Sequence, residues 1–205
     1  MANDSALEPL GDAARKNRAL RERVVLDDLG IRRALVRIAH EVVERNEDLH
    51  GLYVVGIPNG GVPLARQLAE ALRDITGLDV AVGILDTTLY RDDLTGSGER
   101  PQLRRTEMPS AVDDRIVVLV DDVFSTGRTV RAAMDALMDF GRPRAVQVVA
   151  LIDRGHRELP IKIDYVGKNI PTSKHERVVL RGCEGGSLEG PLEAVVLVEE
   201  GGGAR

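Results

Sequence analysis

Between residues 52 and 152, short apolar runs alternate with amphipathic stretches. That alternation restricts the chain to an α/β architecture with a parallel sheet covered on both faces. Residues 52–57 read as a buried strand, which ends in Pro58-Asn59-Gly60-Gly61, a tetrapeptide that cannot continue it. Residues 62–76 return to helical spacing, closed by Gly77. Residues 80–89 read as a second strand, and 115–120 as the clearest buried strand of the chain. The latter runs into Asp121–Thr129 and a helix over 130–140, with a further strand over 145–152. Upstream, Ile31, Ala34, Leu35, Ile38 and Val42 recur at three- and four-residue steps, a helix with one buried stripe that Asp27 or Asp28 can cap. Short strand candidates follow at 163–166, 178–180 and 194–198. The expected organisation is a mobile N-terminal extension over 1–26, one domain over 27–200 and a disordered tail over 201–205. Within the domain, residues 90–114 are rich in charge, Gly and Pro and long for a connection, which suits a flexible lid.

Composition removes several function classes. No apolar run reaches the ~18 residues of a membrane span, and the first residues show no basic start followed by an apolar core, so neither span nor export signal is expected. A single cysteine, Cys183, excludes an internal disulfide and a cysteine-built zinc site; it fits a cytoplasmic location and reads as a silent surface or edge thiol. Four histidines in no ligand spacing give no protein-built metal site. The net charge of −5 excludes bulk electrostatic coating of nucleic acid, and five aromatics (three Tyr, two Phe) are too few for base-stacking platforms. A nucleic-acid role would need a local basic patch.

The chemistry concentrates after the 115–120 strand, because open α/β sheets bind ligands at the carboxyl ends of their strands. Asp121 and Asp122 stand before a turn of Val123, Phe124, Ser125, Thr126 and Gly127, and Arg128 and Thr129 open a helix. A helix N-terminus with neighbouring N–H and hydroxyl donors is a cup for a phosphate monoester. The acid pair in front of it suits a polyhydroxyl group such as a ribose. No Gly-Lys-Ser/Thr follows, so the loop is not a Walker A sequence. Taken one at a time, these residues are also ordinary helix caps.

Val118-Leu119-Val120-Asp121-Asp122-Val123-Phe124-Ser125-Thr126-Gly127-Arg128-Thr129 resembles the phosphoribosyl-pyrophosphate (PRPP) motif of type I phosphoribosyltransferases. Residues 31–41, Leu89-Tyr90-Arg91-Asp92-Asp93-Leu94, 153–161 and 164–173 resemble the PyrR family within that group. The resemblance covers about residues 27 to 198. It implies a type I phosphoribosyltransferase fold, with a central parallel sheet flanked by helices and a small hood over about 154–173. It also implies two linked activities. One is uridine-nucleotide-dependent binding to a pyrimidine-operon leader mRNA, promoting transcription attenuation. The other is transfer of phosphoribose from PRPP to uracil, giving UMP and pyrophosphate.

On that resemblance Asp121 and Asp122 lie near the ribose hydroxyls and are the catalytic pair, while 123–129 hold the 5′-phosphate of PRPP or UMP. Mg2+ would be held mainly by PRPP and water. Tyr165 and Val166 mark the uracil hood, and Pro58, Asn59, Gly60 and Gly61 the pyrophosphate loop. Family members often carry Lys and Arg at the positions of Pro58 and Gly60, so transfer is expected to be weak, with Arg104 and Arg105 of the lid compensating. Lys at 58 and Arg at 60 are expected to improve PRPP use. Read without the resemblance, Pro-Asn-Gly-Gly is an ordinary turn.

Between residues 15 and 45 nine Arg/Lys stand against five acids, a surplus of four. Arg33, Arg37, His40 and Glu44 share one helix face, which by itself could be merely solvated. The resemblance makes Arg37, His40, His156, Arg157, Lys162 and Lys168 an RNA-binding face, with Arg37→Gln expected to leave folding nearly untouched. Expected partners are leader mRNA, UMP or UTP, uracil, PRPP and further copies of the chain as a dimer or tetramer; DNA and membranes are not. A salvage enzyme without an RNA role stays open, as does a regulator for which PRPP is only a ligand.

Overall fold

The computed structural model describes residues 20–58, 60–91, 106–183 and 190–199. In chain order the elements are β1 (Leu20–Leu26), α1 (Asp28–Arg45), β2 (Leu52–Gly56), α2 (Gly61–Thr76), β3 (Ala81–Ile84), β4 (Ile116–Phe124), α3 (Arg128–Met138), β5 (Ala145–Asp153), β6 (Tyr165–Asn169), β7 (Glu176–Arg181) and β8 (Glu193–Glu199). Five strands form an all-parallel sheet in the order β3-β2-β4-β5-β6, and three form a second sheet, β1-β8-β7. The second sheet is antiparallel throughout.

Side chains of the parallel sheet alternate between two cores, as the two-residue period of a strand requires. Leu52, Val54, Ile116, Val118, Val120, Val149 and Leu151 join the apolar stripes of α1 and α2. Tyr53, Val55, Val117 and Leu119 face Ala133, Ala136 and Leu137 of α3 on the other side. Val178, Ala194 and Val196 of the antiparallel sheet, with Leu192 just before β8, join the α1 side, which fixes that sheet to the main body.

Three elements differ from expectation. Residues 20–26, assigned to a mobile extension, form β1, paired with β8 from Leu20↔Glu199 to Leu26↔Ala194. Arg21, Glu22, Arg23 and Val24 are all exposed, so this strand has no local apolar pattern; its partner lies some 170 residues away. The strand expected over 80–89 ends at Ile84, where the chain turns: Asp86 Oδ1 accepts from Thr88 N at 2.9 Å and a 3-10 turn follows over Thr88–Tyr90. The hood expected over 154–173 divides. Its first part lies against the turn after β4, whereas residues 165–169 are the edge strand of the main sheet. Residues 1–19, Asn59, most of the lid with Arg104 and Arg105, and the tail lie outside the described residues.

Candidate functional site

The beginnings of the three helices differ in a way that locates the site. α1 is closed by Asp27, whose carboxylate accepts from Gly30 N at 2.8 Å. α2 and α3 follow the carboxyl ends of β2 and β4; each begins after a glycine, Gly60 and Gly127, which has no side chain to cap it. Arg128 N donates to Thr126 Oγ1 at 3.3 Å, a long bond, so the positive ends of two helix dipoles open side by side with the hydroxyl of the turn between them, the environment that attracts phosphate. Gly127 has φ 92°, a left-handed conformation that ordinary side chains rarely adopt, so this turn requires glycine.

β4 runs four residues further than its apolar stretch, through Asp121 and Asp122 to Phe124. The acid pair is thus held by sheet backbone rather than by a loop. Asp121 is buried at 5% exposure and Asp122 is half-buried. Asp122 N donates to Asp121 Oδ1 at 3.0 Å, and Val123 N to Asp122 Oδ1 at 2.8 Å. Burial, then the neighbouring charge of Asp122, pushes the Asp121 carboxyl well above the ordinary carboxylate range; burial also raises Asp122. The charge of Arg91 opposes the shift at Asp121. Arg91 follows a 3-10 turn fastened to α3, since the Tyr90 hydroxyl bonds Asp139 and Arg131 Nη2 donates to Tyr90 O at 2.8 Å. No motif marked Arg91 as a neighbour of the acids.

The pyrophosphate-loop residues do meet the acid pair. Ile57 N donates to Val120 O at 2.9 Å, which draws the loop across the end of β4. A Cβ at Gly60 would lie 2.7 Å from Asp122 Cγ, and one at Gly61 would overlap the Val120 carbonyl. These glycines admit a close approach of chain to carboxylate, and an Arg at 60 would require Asp122 to move.

The two uracil-hood residues lie in different surroundings, Tyr165 in the core on the α1 side and Val166 against Phe124 of the phosphate turn. Tyr165 is at the amino end of β6, paired with Val149, and its hydroxyl donates to Gln147 Oε1 at 2.8 Å in a buried polar cluster with Asn46. Arg45 stacks over its ring at 5.6 Å. The side chain of Val166 packs beside Phe124, Val148 and Ile163. Tyr165 was read from a motif without regard to strand direction. The segment bonded to the phosphate turn is 154–159, whose partners are distant in sequence: Arg154 N donates to Phe124 O at 3.1 Å, and Glu158 N and Leu159 N both donate to Thr126 O. Cys183, expected at a surface or edge, is buried at 4% exposure.

The candidate RNA residues follow the outer edge of β6 and the segment before it. Arg37 Nη2 donates to Val166 O at 2.8 Å and Gly167 O at 2.9 Å, and Arg37 also pairs with Glu41. Lys168 Nζ donates to Val25 O at 2.8 Å, and His156 Nε2 bonds Thr172 O at 2.7 Å just past the strand. His40 and Lys162 are exposed. Arg157 pairs with Asp153 at 2.6 Å. Arg37 thereby satisfies two carbonyls of an edge strand, a structural duty the sequence did not disclose. Arg37→Gln is expected to lower stability by about 1 kcal/mol, the usual net worth of such bonds, measurable by urea unfolding. An unchanged midpoint would show that water replaces the guanidinium at no cost.

Comparison with known proteins agrees with this geometry. Residues 26–181 match the family described as phosphoribosyl transferase domain. The chain is 58% identical over 173 residues to "Bifunctional protein PyrR" of Pelotomaculum thermopropionicum, covering 84% of this chain and 94% of that one. It is 54% identical over 176 residues to the protein of the same description from Chloroflexus aurantiacus, covering 86% and 95%. Among solved structures, a hypoxanthine phosphoribosyltransferase from Staphylococcus aureus superposes with TM-score 0.58 at 18% identity, covering 82% of this chain and 85% of that one, a likeness of fold.

Proposed function

Since the chain belongs to the phosphoribosyltransferase family, in its bifunctional PyrR branch, we propose that it transfers phosphoribose from PRPP to uracil and, with a uridine nucleotide bound, binds the leader mRNA of a pyrimidine operon to promote transcription attenuation. One observation supports the transfer most directly: two adjacent carboxylates on β4, Asp121 buried and Asp122 half-buried, stand at the starts of two helices that each begin after a glycine.

The N–H groups of 125–129 would receive the 5′-phosphate, and the start of α2 the pyrophosphate, so that the ribose lies over Asp121 and Asp122. As the C1–O bond lengthens, its electron pair leaves with pyrophosphate and the ribose becomes oxocarbenium-like. The carboxylates favour that positive charge, uracil N1 forms the new bond to C1, and its proton is released. Mg2+ suits this donor set: two buried acids attract a cation, yet are fewer than its six positions, leaving the rest to substrate oxygens and water. Bound there, it would neutralise charge gathering on pyrophosphate.

No helix of the described residues is long and apolar enough to cross a membrane. For the regulatory activity the edge of β6 offers Arg37, Lys168 and His156, with His40 exposed on α1 and Arg157 and Lys162 on the segment before β6. Association into dimers or tetramers and a cytoplasmic location complete the reading.

The test has two arms on one preparation. UMP is expected to raise the melting temperature, corresponding to about 2.7 kcal/mol at a hundredfold excess over its Kd. Filter binding with the transcribed leader is expected to tighten with UMP and to weaken with salt, at a slope of about −0.7 per neutralised phosphate if contacts are single-stranded. Uracil transfer without any leader-specific binding would leave a salvage enzyme.

A further inference from the structure

The segment 153–159 is bonded to the phosphate cup on one side and carries two of the candidate RNA residues on the other. We propose that this segment transmits occupancy of the phosphate cup to the RNA surface, with Glu158 as its positioning residue. The inference rests on the nucleotide-dependent RNA binding proposed above and deepens it.

On the cup side, Thr126 O accepts both Glu158 N at 3.0 Å and Leu159 N at 3.1 Å. Glu158 Oε2 accepts from Arg128 Nε at 2.9 Å, and Arg128 is the first residue of α3. Leu159 and Ile161 wall the Gly127 turn, at 3.4 and 3.6 Å from where a Cβ would stand. A phosphate at the start of α3 therefore meets a turn whose backbone and first cation are already shared with this segment.

On the outer side, the chain turns sharply through two left-handed residues, Gly155 at φ 78° and His156 at φ 64°. A left-handed conformation is uncommon for a residue other than glycine, so its contacts must hold it there. Those contacts are Thr172 O on His156 Nε2 at 2.7 Å, Asp153 Oδ1 on Gly155 N at 3.0 Å, and Asp153 Oδ2 on Arg157 Nη2 at 2.6 Å. Arg157 also lies over the ring of Phe124, 5.2 Å from its centroid, and Phe124 ends the strand that carries the acid pair. The direction of Arg157 is thus set in part by Phe124 of the cup, and His156 is its neighbour in the same turn. Glu158 pairs with the cup's own arginine, Arg128, and as an exposed residue it can be changed without opening the core.

The test uses full-length protein, its Glu158→Gln variant, and a hairpin RNA transcribed from the region upstream of the pyrimidine genes of the same genome. In the parent, UMP is expected to tighten RNA binding by at least about fivefold, the lower end of usual coupling. It is also expected to slow amide exchange over 154–161. In Glu158→Gln, UMP affinity and UMP-free RNA affinity are expected to stay within about twofold, while the tightening falls below about twofold. A variant that keeps the full tightening overturns the role of Glu158. Exchange over 154–161 that ignores UMP in the parent overturns the link even if RNA binding depends on UMP. A parent whose RNA affinity ignores UMP removes both this inference and the regulatory reading.

Discussion

With Asp121→Asn and Asp122→Asn combined, uracil transfer at saturating PRPP is expected to fall by at least about a hundredfold, the cost of removing a preorganised electrostatic partner. UMP affinity is expected to change by only a few-fold, and the ligand-free protein to melt at a higher temperature than the parent. The three outcomes have one cause. Asp121 is buried with Asp122 beside it, and burial foremost pushes both carboxyls up. Such a pair is unfavourable in the empty protein and favourable only when positive charge arrives. UMP brings none, whereas the breaking C1–O bond creates it, so the loss falls on transfer. Asparagine is nearly the same size and does not ionise, so it removes the burial cost and the repulsion.

The same shifts set a pH dependence. A raised native carboxyl keeps a proton that the unfolded chain has already released. Stability of the ligand-free parent therefore declines as pH climbs from the unfolded carboxylate range through the raised native values. The double variant is expected to lose that decline, which melting curves across acidic to neutral pH would read. Parallel curves for parent and variant, or equal losses in UMP binding and transfer, would remove the electrostatic role from the pair.

What the sequence disclosed follows the range of the interactions involved. The parallel sheet was legible because its inner strands are buried on both faces and read as apolar runs, as Leu52–Gly56 and Ile116–Val120 do. The acid pair and cup were legible because they are contiguous and sit where such a strand must end. β1 was not, since its outward residues are charged and its pairing partner is near the other end of the chain. Tyr165 was misplaced because a motif names neighbours in sequence but not which end of a strand they occupy; the register with Val149 puts it at the amino end. Arg37 looked like a free surface cation because its acceptors, Val166 O and Gly167 O, are backbone atoms some 130 residues away. Arg91 and Glu158 belong to the same class: each matters through a group that folding alone brings near.

The neutral pyrophosphate loop is where sequence reasoning and packing give opposite expectations, and Gly60→Arg decides between them. The resemblance places a charged residue at this position in many relatives and suggests that arginine would improve PRPP use. In this chain Gly60 has φ −74° and ψ −26°, ordinary helical values, so backbone conformation is no obstacle to a side chain. Space is the obstacle, because Asp122 Cβ and Cγ each lie 2.7 Å from where the new Cβ must go. Neither can yield without moving the carboxylate, which is bonded to Val123 N and held against the end of β4. Gly60→Arg is therefore expected to lower kcat by about tenfold to a hundredfold, the effect of an ångström of misplacement, whatever its charge does for KM. Gly60→Ala should show part of the same fall with no charge added, which separates crowding from electrostatics. Pro58 is only half-buried, and Pro58→Lys is expected to lower the KM for PRPP, since a charge-assisted contact is worth about 1.5–3 kcal/mol. If Gly60→Arg instead raises kcat/KM, the loop can open away from Asp122 and its glycines are not what positions the acid.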